Sequence, residues 1–139
     1  MRKLFFLFSF FCLLGCQPTS LEDFQLEGSS LARILLKDLR EIESREDLSL
    51  MEPVLKKDFE KIVDLMIAAR TFQQKNPEIE PLFQNINRTL NLSLKEELKR
   101  VYEIEGGREC VERSQREAML KLDAKEKIIE KQQSSIRLK

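Results

Sequence analysis

The sequence has no histidine and no tryptophan, a single tyrosine, and only four glycines and four prolines. The absence of histidine removes the most common general base, the most common metal ligand and every His-dependent catalytic triad. The glycines form neither a phosphate-binding loop nor a dinucleotide fingerprint, and the chain has no Ser-x-x-Lys or Gly-x-Ser-x-Gly motif. These absences predict a protein that is not an enzyme, with no catalytic residues, no cofactor and no metal site.

The N-terminal residues combine a short basic start with a short apolar run. Arg2 and Lys3 precede the apolar and small residues at 4–14. In a helix, a run of about 11 residues covers only about half of a hydrocarbon core near 30 Å thick. This order is typical of an export signal and unsuited to a membrane span.

The apolar run closes with Leu13-Leu14-Gly15-Cys16. Leu13 fits poorly where an ordinary signal peptidase site favours a small residue. The four residues resemble the lipobox of bacterial lipoproteins, and the resemblance covers only the first 17 residues. It implies a diacylglyceryl group on the Cys16 thiol, removal of the signal peptide 1–15, and commonly an acyl group on the new amine. Two or three such chains anchor a protein durably to a membrane.

Two further points bear on this anchor. An uncleaved N-terminal segment with an incidental cysteine is the alternative interpretation of the same residues. The residue after the cysteine is Gln17, whereas aspartate there resembles an inner-membrane retention signal. The resemblance therefore favours the outer membrane.

Cysteine is scarce, with three residues in the chain. Cys12 lies in the signal and Cys16 is the predicted lipid site, so Cys110 is the one thiol left to the folded domain. A single thiol excludes an internal disulfide and a Cys-rich zinc site. Cys110 either forms an intermolecular disulfide or is a small buried apolar side chain, and burial is favoured because free cysteine is among the most buried residue types.

The charges of the predicted mature chain nearly balance. Loss of Arg2 and Lys3 leaves 22 basic and 24 acidic residues from the 24 of each sign in the whole chain. No basic excess remains, and there is almost no Tyr or Trp to stack on bases, so no nucleic-acid partner is predicted. The abundance of Glu, Lys, Leu and Arg favours helix.

The sequence predicts an all-α fold, a small bundle of four to five amphipathic helices within residues 31–139. Residues 16–30 form the predicted tether, and Ser29 or Ser30 is the predicted N-cap of the first helix. Its apolar face repeats at helical spacing through Leu31, Ile34, Leu35, Leu39 and Ile42. No internal repeat stands out.

Capping patterns and prolines place the next helices. Ser49 with Glu52 predicts the start of the second helix, which should end at 72–76 ahead of Pro77 and Pro81. A third helix is expected from Pro81 to a break at Asn91, and another from Ser93 to the glycine pair 106–107.

The C-terminal segment 108–139 is predicted to be a long, charged and partly extended helix. Acid-first pairs four residues apart support it, as in Glu109 with Arg113 and Glu117 with Lys121. Leu122, Ile129 and Ile136 fall seven apart, but polar residues occupy the seam between them. The segment is therefore either a homodimer contact or a solvated helix end.

Acidic residues cluster near the end of the first predicted helix, at Glu41, Glu43, Glu46 and Asp47. Such a cluster could serve acid–base catalysis or calcium binding, but nothing apolar or aromatic surrounds it to raise a pKa. A solvated surface is the favoured interpretation.

The sequence as a whole predicts a lipid-anchored envelope protein that acts as a non-enzymatic binding, adaptor or structural component. The membrane, through the lipid on Cys16, and an envelope protein of unknown identity are its predicted partners. The periplasmic side of the outer membrane is favoured. The alternative is a surface-exposed lipoprotein that engages host or neighbouring-cell molecules.

Overall fold

The computed structural model describes residues 18–78 and 88–137, with side chains described up to Lys131. These ranges contain four α-helices and no strand, which confirms the all-α prediction. The helices are α1 (Leu21–Arg40), α2 (Arg45–Lys75), α3 (Arg88–Glu103) and α4 (Gly107–Arg137). The lipobox with Cys16, Gln17 and the helix start predicted at Pro81 lie outside the described residues.

Helix α1 begins well before the predicted cap at Ser29 or Ser30, so residues 21–30 of the predicted tether are helical. Ser20 is the N-cap: its hydroxyl accepts a hydrogen bond from the Asp23 backbone N–H at 3.1 Å, and Asp23 Oδ2 accepts one from the Ser20 N–H at 3.1 Å. Phe24 explains the early start. It is 3% exposed and its ring lies 5.3 Å from that of Phe72 on α2, so the first turns of α1 bury apolar surface.

Helix α2 also begins earlier than predicted. Ser44, and not Ser49, is the N-cap, and it forms a capping box with Asp47, whose Oδ2 accepts a hydrogen bond from the Ser44 N–H at 2.9 Å. Pro53 therefore lies inside the helix. It cannot donate to the Ser49 carbonyl, a local cost that the packing of the long helix overcomes. The end of α2 at Lys75 falls within the predicted range of 72–76.

Helix α3 runs without interruption through Asn91, so the predicted break there was wrong. Asn91 is exposed while Leu90 is buried, and the helical face continues through both. A short turn then joins α3 to α4. Gly106 adopts a positive φ of 81° in this turn, and Gly107 is the first residue of α4.

The four helices form two hairpins that lie side by side and point the same way. Helix α1 contacts α2 and α3, and α4 contacts α2 and α3, while the described parts of α1 and α4, and of α2 and α3, do not meet. An ion pair between Arg40 and Glu97 at 3.4 Å joins the ends of α1 and α3. Another, between Glu52 and Arg113 at 2.7 Å, lies near the starts of α2 and α4. Both hairpin turns therefore lie at one end of the bundle.

The hairpins also resemble each other in sequence. Residues 36–48, LKDLREIESREDL, and residues 98–111, LKRVYEIEGGRECV, share seven identical positions once one glycine is allowed as an insertion. Near the turns, positions matched by this alignment are buried in both units: Leu39 and Val101, Leu48 and Val111, Leu55 and Ala118. The chain thus contains a short internal repeat around its two hairpin turns, which is hard to see in the sequence because the extra glycine shifts the register and the flanking residues differ.

The main core lies near the turns, where all four helices contribute. Its buried members come from both hairpins: Leu35, Leu39, Ile42, Leu48, Leu55, Val101, Cys110 and Val111. Helix α4 belongs to this core over its first half, and Ala118 and Leu122 extend the contact along α2. Beyond Leu122 its described side chains are mostly exposed. The predicted charged C-terminal helix is therefore half packed and half solvated.

Arg100 links the second hairpin to the end of α1. Its guanidinium donates to the Ile42 carbonyl at 2.6 Å and the Leu39 carbonyl at 2.8 Å, and its Nε donates to Glu97 at 2.7 Å. The last carbonyls of a helix have no partner within the helix, so these bonds complete the C-terminus of α1. A fork-shaped, permanently charged donor suits two carbonyls at once.

We expect Arg100→Ala to lower the free energy of unfolding by about 2 kcal/mol, because it removes charge-assisted bonds to carbonyls of a packed helix end. Urea unfolding followed by circular dichroism would measure this loss. Lys99→Ala, at the exposed neighbouring position, is the control and should change the midpoint little. Equal losses in the two variants would contradict the role assigned to Arg100.

Candidate functional site

The first described residues lead directly into a groove between the two helices of the first hairpin. Pro18 forms part of its wall, two residues after Cys16 in sequence. The groove runs between the first half of α1 and the second half of α2 and has a volume of about 540 Å³. We call it the anchor groove. Its apolar lining comes from Pro18, Phe24, Leu31, Leu65, Ala68 and Phe72.

The charges around the anchor groove are mixed. Glu27 and Asp64 supply carboxylates, and Lys61 and Lys75 supply ammonium groups. Asp64 is also paired with Lys121 of α4. An apolar trough with a rim of both signs suits an apolar side chain or helix face of another protein better than a small charged metabolite.

The structure places the Cys110 thiol in the core. Cys110 is 1% exposed, and its Sγ lies 3.5 Å from the Leu48 carbonyl oxygen, to which it donates. Burial raises the pKa of this thiol, and the nearby Glu52 carboxylate raises it further. A protonated, enclosed thiol is a poor nucleophile and is not accessible to a second chain in this fold.

The acidic cluster near the first turn does not form a site. Asp47 is occupied as a helix cap, accepting from the backbone N–H groups of Glu43 at 3.1 Å and Ser44 at 2.9 Å. Hydrogen bonds, first from the Ser44 hydroxyl, hold its pKa below the usual range. Glu41, Glu43 and Glu46 are exposed to solvent. Within this cluster, Asp47 therefore stabilises the start of α2.

A pair of carboxyl groups that was not predicted from the sequence, Asp58 and Asp38, lies at the α1–α2 interface. Asp58 is 5% exposed, and its Oδ2 has no hydrogen-bond partner. Burial raises the pKa of Asp58 to about 6, with further raising by a hydrogen bond and by the charge of Asp38 on α1, while Lys61 lowers it. A signal was present: Asp58 lies in a 3-4-3-4 pattern with Leu55, Ile62, Leu65 and Ala69 that marks one helix face.

A second groove of about 500 Å³ lies between α2 and α4 and is polar. Arg113 binds Glu52 through two contacts, at 3.0 and 2.7 Å, and Lys56 pairs with Glu117 at 2.7 Å. The Arg113 hydrogen bond holds the pKa of Glu52 below its usual range. These charges hold the two hairpins together and are satisfied by each other, so the anchor groove is the stronger candidate for binding.

Among the described residues, no helix is both long and apolar enough to cross a bilayer. Within 18–78 and 88–137, no three or more His, Cys, Asp or Glu side chains are grouped as metal ligands would be. No family model, curated protein or solved structure matches this chain.

Proposed function

We propose that this chain is a lipid-anchored protein of the bacterial outer membrane whose helical domain binds other envelope proteins without catalysing a reaction. The observation that carries the proposal is the lipobox-like Leu13-Leu14-Gly15-Cys16 closely followed by the Ser20 cap of α1. The periplasmic face of the membrane is the proposed location.

The early start of α1 shortens the link between Cys16 and the helical domain. Only four residue steps separate Cys16 from Ser20, and at most about 3.3 to 3.6 Å per residue they reach about 14 Å. The predicted tether over 16–30 would have reached several times further. The helical domain is therefore held against the bilayer surface, which raises its effective concentration near a membrane partner.

The anchor groove is the proposed contact surface. It opens beside Pro18, at the end of α1 nearest the lipid, and its apolar lining with a charged rim matches what a helix of a partner protein requires. Closeness to the bilayer would favour a partner with a helix or segment at the membrane surface.

Cys16→Ser is expected to abolish incorporation of a labelled fatty acid and to move the protein out of the detergent phase by about tenfold or more, because two or three acyl chains supply the anchor. Cys110→Ala is the matched control and should keep both properties. Metabolic labelling and detergent partitioning measure the outcome. Retention of label by Cys16→Ser would refute the lipid site.

Protease treatment of intact cells separates the two proposed faces of the membrane. A domain on the periplasmic side should survive treatment and be degraded only after the outer membrane is opened. Degradation in intact cells would instead favour the surface-exposed alternative, in which the same groove engages molecules of a host or neighbouring cell.

A further inference from the structure

Exposed apolar side chains lie on both outer sides of the pair of hairpins. On α2, Leu50 is 72% and Val54 is 36% exposed, and on α4 Met119 is 44% exposed. Val54 precedes Lys56 by two residues, and Met119 follows Glu117 by two residues. Lys56 and Glu117 join α2 to α4 at 2.7 Å. Two residues turn a helix by about 200°, so Val54 and Met119 face away from that contact, on opposite sides.

The internal repeat matches these outer residues with residues that form the contact between the two hairpins. Equivalent residues of α2 and α4 differ by 63 in number, as Leu48 and Val111 do, and both are buried. By the same offset Met119 is the equivalent of Lys56, and Val54 is the equivalent of Glu117. If another hairpin stacked in the same way, the ion pair between Lys56 and Glu117 would be replaced by an apolar contact between Met119 and Val54.

A second contact changes in the same direction. Glu52 and Arg113 form another ion pair across the hairpins, and their equivalents are Gln115 and Leu50. Three of the four positions equivalent to these two ion pairs are thus apolar and lie at the two open sides of the chain. Terminal units of a repeat protein normally present polar outer faces for solubility, so exposed apolar residues at these positions mark surfaces that are covered.

We propose that copies of this chain stack head to tail, the second hairpin of one copy packing on the first hairpin of the next. A second copy is the fitting partner because the new contact continues an interface that the chain already makes with itself, in the same orientation. One position does not carry over. Asp38 is the equivalent of Arg100 and supplies no donor to the carbonyls of the neighbouring helix end, so the contact between copies is weaker than the one within a copy.

The stacking geometry also agrees with an anchor at one end. Each hairpin points the same way as its neighbour, so the Pro18 end of every copy lies on the same side of the stack. All the Cys16 residues could then insert lipid into one bilayer, and confinement to that surface promotes association. This step rests on the proposed function, whereas the stacking itself does not.

Paired cysteines test the contact in the full chain purified in mild detergent. Val54→Cys combined with Met119→Cys is expected to give a ladder of disulfide-linked multimers on non-reducing gels, because the two sites meet only between copies. Val54→Cys combined with Leu120→Cys is the matched control. Leu120 is 62% exposed but lies 100° around α4 from Met119, and this pair should give at least tenfold less multimer.

A charge rescue provides a second test. Met119→Lys alone should reduce the sedimenting mass to that of the monomer, and adding Val54→Glu should restore the multimer, because the pair recreates the Lys56–Glu117 contact. A ladder no stronger than the control, equal cross-linking by Val54→Cys alone, or failure of the rescue would each overturn the proposal. If the purified chain forms multimers but carries no lipid on Cys16, the multimers support stacking and the missing lipid refutes the proposed anchor.

Discussion

Gly107→Ala is expected to lower the free energy of unfolding by about 4 kcal/mol or more, a large part of the stability of a domain of this size. A Cβ at Gly107 would lie 1.9 Å from the Val101 carbonyl oxygen and 2.9 Å from its carbonyl carbon. Both contacts are with backbone, which no change of side-chain rotamer can relieve. Val101 is fully buried in the main core, so moving its carbonyl would disturb the packing of both hairpins.

The neighbouring glycine is the control for this prediction. Gly106 has a φ of 81°, and a Cβ there would meet nothing within 4 Å. Gly106→Ala should therefore cost only the penalty of a left-handed alanine, about 1 to 2 kcal/mol. Chemical unfolding of both variants, followed by circular dichroism, separates the two costs. Similar losses would mean that the turn can open to admit a side chain at Gly107.

The helices could be predicted from the sequence because they depend on the spacing of apolar residues within a single segment of the chain. The α1 face that buries Leu35 and Leu39 and the end of α2 before Pro77 were predicted from such local patterns. Ile34, predicted on the same face, is 40% exposed, and Ile42 lies in the turn after α1. Helix starts were less certain because a Ser followed three residues later by an acid occurs several times. In the structure Ser20 and Ser44 are the N-caps, and Ser49 lies inside α2. The longer helices are favoured because their first turns pack against distant parts of the chain.

The candidate site could not be derived from local patterns. The anchor groove requires Phe24 and Phe72, which are far apart in sequence and meet because α1 and α2 are antiparallel. Burial of Cys110 was predicted because free cysteine is generally buried. Nothing in the sequence indicated that its thiol would lie against the Leu48 carbonyl. The cross-hairpin ion pairs were also missed. Residues such as Arg113 and Glu117 were assigned partners within α4, and the structure pairs them with α2.

Asp58→Asn is expected to raise the free energy of unfolding at pH 7 by about 3 kcal/mol. The pKa of Asp58 is about 6 in the folded chain against 3.8 for an ordinary aspartate, and each pKa unit corresponds to about 1.4 kcal/mol. Above pH 6 the folded protein must hold a charge that burial and the adjacent Asp38 disfavour. Asparagine has the shape of the protonated acid and can donate to Asp38, so it removes this cost.

The same pKa fixes the sign of the pH dependence. Because the folded state binds the Asp58 proton more tightly than the unfolded state, the stability due to this group is fully present below about pH 3.8. It is lost as the pH rises through about 6. The carboxyls of Asp47 and Glu52 have lowered pKa values, and their stability is lost in the opposite direction, as the pH falls. The difference between the natural chain and Asp58→Asn isolates the buried pair from those groups.

Urea unfolding at several values between pH 4 and pH 8 would measure that difference. It should grow with pH up to about 6 and then stay constant. Asp38→Asn should give a smaller gain, because it removes the neighbouring charge but leaves Asp58 buried. Asp123→Asn, at an exposed position on α4, is the control and should leave the curve unchanged. If Asp58→Asn destabilises the chain at every pH, then the fold requires the Asp58 carboxylate, and its burial does not carry the cost assigned to it.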